Sequence, residues 1–184
     1  HDIYTPGDTV DALVAMNPAA LVTNLEDLRD GGVLIINKDS FDKKGLEQAG
    51  YKTNPLDDGS LSKYSMHAVE MTKLNRLAVE GMGLTQKEAD LCRNFFAMGL
   101  VFWLYDRSLE PTLRYIDDKF GKMPAVAEAN RRALHAGFTA GNRGIDIALV
   151  DQRSRRRWIG AKRGLDVLQV GERREQEEIA AAFD

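Results

Sequence analysis

The chain carries a single cysteine, Cys92, among its 184 residues. One thiol cannot build a disulfide framework, an iron–sulfur cluster or a cysteine zinc site, and a reducing cytoplasm is the natural setting for it. Long apolar runs are also missing. The longest, Phe95 to Tyr105, falls well short of the roughly 18–20 residues that cross a membrane, so it reads as a buried helix. No signal peptide is visible. Neither sign of charge dominates: the net charge of −3 favours neither nucleic acid nor an anionic membrane as a partner. There is no G-x-G-x-x-G, which argues against a nucleotide-sensing Rossmann domain, and no internal repeat or low-complexity tract. What remains is ordinary globular composition, with length for one domain and a real core.

The most informative stretch is residues 11–38, DALVAMNPAALVTNLEDLRDGGVLIINK. An apolar run from Ala12 to Met16 ends at Asn17. Pro18 follows, then a helical pattern of Leu21, Leu25 and Leu28, stopped by Gly31 and Gly32. A second apolar run, Val33 to Ile36, ends at Asn37. Strands apolar on both faces belong in a parallel sheet covered by helices, so the order is strand, helix, strand. Asn17 suits the helix cap and Pro18 its first position, where no backbone N–H is needed. The free N–H groups there would also suit an anion.

Downstream, Asp39 is the expected cap of a short helix running through Gln48 and closed by Gly50, and Thr53 to Ser62 is a loop. Tyr64 to Met71 is a candidate third strand, and a helix is expected over Lys73 to Glu80. Thr85 to Glu88 has the reciprocal pattern of a capping box, predicting one helix as far as Tyr105. Further helices are expected over Leu109 to Phe120 and from Pro124 to near Gly137. The turn signal Pro6-Gly7 lies in Ile3 to Asp8. The fold class is therefore α/β: a mostly parallel, Rossmann-like but incomplete sheet followed by a helical C-terminal section. Up to Asn142 there are 7 Arg and 9 Lys; from Arg143 onward there are 8 Arg and 1 Lys.

The run HDIYTPGDTVDALVAMNPAALVTNLEDLRDGGVLIIN resembles the gamma domain fused to the alpha subunit of 2-oxoglutarate:ferredoxin oxidoreductase, within the 2-oxoacid:acceptor oxidoreductases. NPLDDGSL (Asn54 to Leu61), CRNFFAMGLVFWLYDR (Cys92 to Arg107) and PAVAEANRRALHAGF (Pro124 to Phe138) continue the resemblance, which spans Asp2 to Gly141. The family's upstream glycine-rich strand-turn is absent, and the chain starts with His1, so an N-terminal segment is expected to be missing. After Phe138 the family's FGET-like continuation is replaced by TAGNRGIDIALVDQRSRRRW. Residues 1–141 are thus expected to be a partial gamma domain. Residues 142–184 are expected to be an atypical Arg-rich tail, disordered or shifted in reading frame near Ala140 to Arg143. Translating the other two frames of the DNA tests that expectation.

The resemblance implies oxidative decarboxylation of 2-oxoglutarate with coenzyme A, giving succinyl-CoA, carbon dioxide and reduced ferredoxin. It implies thiamine diphosphate, an iron–sulfur cluster and coenzyme A in the parent complex, with none held by this fragment alone. The implied partners are the rest of the alpha subunit, a thiamine-binding beta subunit and, through the complex, ferredoxin, in a cytoplasmic hetero-oligomer. The domain's own implied role is non-catalytic: coenzyme A access and subunit assembly. The isolated fragment is expected to be marginally stable and inactive, with an exposed sheet edge. The alternative is a stand-alone, non-enzymatic module that docks thiamine-diphosphate subunits through the Phe95–Tyr105 helix.

No residue matches a catalytic position, and no metal site is expected. Asn17, Pro18 and Asn37 are the candidate cofactor-binding residues, placed at the carboxyl ends of parallel strands where ligands of open α/β sheets bind. Their functional reading is contact with a phosphate or the adenine of coenzyme A; their plain reading is a helix cap and a strand end. His67 and His135 lack a partner motif and read as structural and solvated. Cys92 reads as buried and inert, since its neighbour Arg93 points elsewhere on a helix. Phe95, Phe96, Phe102 and Trp103 read as core or subunit interface. The cluster Arg153, Arg155, Arg156 and Arg157 has no nucleic-acid motif around it. The adjacent pairs Asp57–Asp58 and Asp117–Asp118 point apart and form no acid–base dyad.

Overall fold

A computed structural model describes residues 9–142 and 167–170. These fall into two compact units, one holding residues 9–70 and 167–170 and the other residues 71–142. The Pro6-Gly7 turn and the Arg153–Arg157 cluster lie outside the described residues.

The first unit is a parallel sheet with helices. Strand β1 spans Val10–Ala15, β2 Leu28–Asn37, β3 Ser65–Val69 and β4 Val167–Val170, in the spatial order β3-β2-β1-β4. All three pairings are parallel. The apolar runs noted in the sequence are the centre of this sheet: Leu13, Ala15, Leu34 and Ile36 are fully buried on one face, and Ala12, Val14 and Ile35 on the other. Each such Leu or Ile contributes about 1.5–3 kcal/mol relative to exposure. Helix α1, Pro18–Asn24, sends Leu21 into the same cluster as Leu13, Leu34, Phe41, Leu61 and Tyr64. Helix α2, Lys43–Gln48, follows a short turn.

Several boundaries differ from the sequence reading. Helix α1 ends at Asn24, whose side chain bonds back to the Ala20 carbonyl at 2.8 Å, and Leu28 already belongs to β2. Leu28, expected on the helical stripe, is instead buried from a strand, a period that leucine spacing alone does not separate from a helix. Gly31 and Gly32 sit inside β2, where the register jumps: Val10 pairs with Leu28 but Ala12 with Val33. Gly31 has φ +72° and donates its N–H to the Lys63 carbonyl at 2.9 Å, a bulge that a Cβ would strain. Asp42, not Asp39, caps α2, accepting from Gly45 N at 2.7 Å. The outer edge of β1 is paired: Ala12 to Ala15 align with Val167 to Val170.

The second unit is helical: α3 Met71–Ala78, α4 Gln86–Leu91, α5 Arg93–Leu104, α6 Glu110–Phe120 and α7 Pro124–Asn142. The capping box is present in full: Thr85 Oγ1 accepts from Glu88 N at 3.3 Å, and the Glu88 carboxylate accepts from Thr85 N at 2.7 Å. The helix it starts is interrupted at Cys92, so α4 and α5 are separate. Helix α5 ends in a Schellman motif, with Arg107 N bonding to Phe102 O and Asp106 N to Trp103 O. Asp106 occupies its left-handed position, at φ +51°.

Helix α5 lies among its neighbours, packed along α7 and touching α3 and α4, with its Phe95 ring edge-on to Phe120 of α6. Phe96, Ala97, Leu100, Trp103 and Leu104 of this apolar helix are buried, as a core role requires, while Phe95 and Phe102 are half-buried. Gly137 does not end α7, which continues to Asn142. A Cβ on Gly137 would collide with the Phe96 carbonyl, and one on Gly99 with the Leu134 carbonyl, so these glycines let two helix backbones approach closely.

Candidate functional site

Strands β1 and β2 run in parallel and end together, Ala15 beside Ile36. Asn17 and Asn37 therefore emerge at the same carboxyl end of adjacent strands. The order β3-β2-β1-β4 also places a topological switch at β1, since β2 and β3 extend from one side of it and β4 lies on the other. Ligands of open α/β sheets bind in the crevice outside strand ends at such a point. Asn17 is the residue nearest that position in sequence.

Its backbone is extended, with φ −154° and ψ 168°, and its Oδ1 accepts from Ala20 N at 2.8 Å. Pro18 is buried and occupies the first turn. The cap reading of this pair is thus shown by geometry. The amide nitrogen of half-buried Asn17 has no protein partner among the described residues. The seven-residue α1 is too short for its dipole to make an anion site on its own, and its Ala20 N–H group is engaged by Asn17.

Asn37 is fully buried. Its Nδ2 donates to the Met16 carbonyl at 3.2 Å and to Ser40 Oγ at 2.7 Å, tying the end of β2 to the end of β1 and to the following turn. Asn37 thus ties the end of β2 to Met16, the residue before Asn17 and Pro18, and holds the strand ends in register. Ser40 and Asp42 complete this corner, and the sequence reading missed both. The Asp42-x-x-Gly45 spacing is the signal that finds the second, because a Cβ at position 45 would press on the Ser40 carbonyl at 2.6 Å. Arg29 pairs with Asp11 across β1 and β2, an exposed link also not anticipated.

The remaining candidates sit elsewhere and do other work. His67 is buried on β3, its Nε2 3.2 Å from Ser65 Oγ. His135 is exposed on α7. On that helix Arg131 and Arg132 pair with Glu128 at 3.2 and 3.0 Å, and the two guanidinium groups hold the Glu128 carboxyl below its usual range. Cys92 is buried, and desolvation, reinforced by the Glu88 charge, pushes its thiol up to about 12. It is neither a nucleophile nor a ready metal ligand at neutral pH. Asp57 and Asp58 organise their loop: Asn54 Nδ2 donates to Asp57 at 2.6 Å, and Thr53 Oγ1 donates to Asp58 at 2.6 Å. Bonds from Ser60 and Thr53 hold the Asp58 carboxyl below the ordinary range. Among the described residues no group of three His, Cys, Asp or Glu side chains is placed to hold a metal. No helix among them is long and apolar enough to cross a membrane.

The family model described as "Pyruvate ferredoxin/flavodoxin oxidoreductase" matches residues 1–140. The chain is 49% identical over 141 residues to the 2-oxoglutarate oxidoreductase subunit KorA of Mycobacterium tuberculosis, an alignment that takes in 77% of this chain and 22% of that protein. Its fold resembles the 2-oxoglutarate:ferredoxin oxidoreductase of Magnetococcus marinus, solved with 2-oxoglutarate, coenzyme A and succinyl-CoA bound. The TM-score is 0.54 at 19% identity, over 78% of this chain and 22% of that one. A keto/oxoacid ferredoxin oxidoreductase gamma subunit from Geobacter sulfurreducens aligns with a TM-score of 0.46 at 21% identity, over 73% of this chain and 65% of that one. The chain thus spans about a fifth of the length of the curated relative it matches.

Proposed function

The chain belongs to the pyruvate ferredoxin/flavodoxin oxidoreductase family, and from that membership we propose that it supplies the gamma-type domain of a 2-oxoglutarate:ferredoxin oxidoreductase. The complex oxidatively decarboxylates 2-oxoglutarate with coenzyme A, yielding succinyl-CoA and reduced ferredoxin. The observation that carries this reading is the 49% identity over 141 residues to a 2-oxoglutarate oxidoreductase subunit. Residues 1–141 carry the family resemblance, and beyond them Val167–Val170 joins the sheet beside β1. The partners are the rest of an alpha subunit and a thiamine-binding beta subunit, with ferredoxin engaged through the complex in the cytoplasm.

This domain is a non-catalytic part of that machine. A single cysteine cannot ligate an iron–sulfur cluster, and Cys92 is buried besides, so the electron-carrying group does not fit this chain. Thiamine and iron–sulfur chemistry belong to the partner domains. What this chain offers is the corner at the ends of β1 and β2. Asn17 presents its amide N–H group at the switch point, suited to a phosphate oxygen or an adenine nitrogen of coenzyme A. Pro18 fixes where α1 begins, and Asn37 fixes the strand ends that hold Asn17 in place.

Substituting Asn17→Ser in the intact complex separates this reading from a plain cap. Serine caps a helix about as well as asparagine, so stability should hold. The lost amide donor should raise the KM for coenzyme A about two- to tenfold, the worth of one hydrogen bond, with the KM for 2-oxoglutarate unchanged. An unchanged coenzyme A KM in Asn17→Ser, beside a lowered stability in Asn17→Ala, would leave Asn17 as a cap and nothing more.

A further inference from the structure

Helix α3 and the α4–α5 junction are joined by a ladder of polar rungs. At its exposed end the Arg76 guanidinium donates to both carboxylate oxygens of Asp90, each at 2.7 Å. One residue back, Asn75 Nδ2 donates to the Ala89 carbonyl at 2.7 Å. One turn earlier on α3, Thr72 Oγ1 accepts from the Arg93 guanidinium at 3.2 Å. The rungs run 76–90, 75–89 and 72–93, so Asn75 and Arg93 occupy neighbouring steps of one antiparallel contact.

Two polar atoms of this ladder are buried without a protein partner among the described residues: the acceptor Asn75 Oδ1 and the donor Arg93 Nε. Asn75 is 0% exposed. Native proteins rarely leave such atoms unpaired, and ordered water is the usual partner where protein supplies none. The donor set selects the ligand. An anion would suit Arg93 but be repelled by the Asn75 carbonyl oxygen. A cation would suit that oxygen but be repelled by the guanidinium. A small neutral group that both donates and accepts satisfies the two together.

We propose that a single internal water molecule bridges Arg93 Nε and Asn75 Oδ1, forming a built-in rung between α3 and the start of α5. It accepts from Arg93 and donates to Asn75, and it leaves one further hydrogen for a neighbouring acceptor. The site accounts for a fully buried asparagine whose Oδ1 has no protein partner among the described residues.

A crystal structure of the full chain at about 2 Å resolution tests this. The expected result is a density peak within about 2.7–3.2 Å of both atoms. Bare side chains with no peak, a direct bond between the two atoms, or a peak that refines as an ion would overturn it. In solution, the Arg93 Nε proton should show a cross-peak to a long-lived water, and the cross-peak should persist in Thr72→Val, where no hydroxyl proton at position 72 can relay exchange. Its absence in the wild type, or its loss in Thr72→Val, would count against the bridge.

Discussion

Replacing Gly137 with alanine reverses the usual rule for glycine inside a helix. At an open helical position the change would gain about 0.8–1 kcal/mol from backbone propensity. Here the new Cβ would fall against the Phe96 carbonyl oxygen and lie 2.7 Å from its carbonyl carbon and 3.1 Å from its Cα. The clash is with main chain, so no side chain can rotate away, and α5 and α7 must separate along their contact. Overpacking of this kind costs about 1–3 kcal/mol and sometimes more. Backbone contact puts Gly137 at or above the upper end of that range, so after the propensity gain the net loss is about 2 kcal/mol or more. For a chain of this size that is a fall in Tm of at least roughly 4–8 °C. Far-ultraviolet circular dichroism on the full chain measures it, with exposed Thr139→Ala on the same helix as the control and expected to change little. A Tm for Gly137→Ala equal to or above wild type would refute the close approach. It would restore the reading in which Gly137 simply ends the helix.

Cys92 should resist alkylation at neutral pH in the folded chain and react at the rate of a free thiol once urea unfolds it; equal rates in both states would contradict its burial and raised pKa. The Glu88 carboxyl is held below its ordinary range by bonds from the Thr85 side chain and then the Thr85 backbone. A depressed carboxyl stabilises the folded state fully above the usual carboxylate range and loses that contribution as pH falls through its lowered value. Glu88→Gln should therefore lower stability at neutral and alkaline pH and flatten its fall on the acid side, as read by urea titration across pH; an unaltered profile would show that the capping carboxylate contributes nothing.

How much was legible follows the physics of each signal. The strands of the β-α-β start stand out because they are buried on both faces, and an uninterrupted apolar run as short as Val33 to Ile36, bounded by glycines and an asparagine, suits a central parallel strand. Thr85 and Glu88 announce a helix start because their bonds are local. Leu28 misleads because a leucine three residues after Leu25 suits a helix stripe and an incoming strand alike, and only the pairing of Leu28 with Val10 decides. Gly31, Gly32 and Gly137 look like terminators but serve a bulge and a helix contact, which are long-range facts absent from local sequence. Of the site, Asn17 and Pro18 were readable as a cap. The reach of Asn37 to Met16 and Ser40, and the switch point at β1, required the fold.

The most direct test of the central claim is the substrate dependence of dye or ferredoxin reduction by the assembled complex that contains this chain. Reduction should require both 2-oxoglutarate and coenzyme A, release succinyl-CoA, and proceed poorly with pyruvate, while the isolated chain reduces nothing. Reduction driven by pyruvate in preference to 2-oxoglutarate, or turnover by this chain alone, would contradict the account.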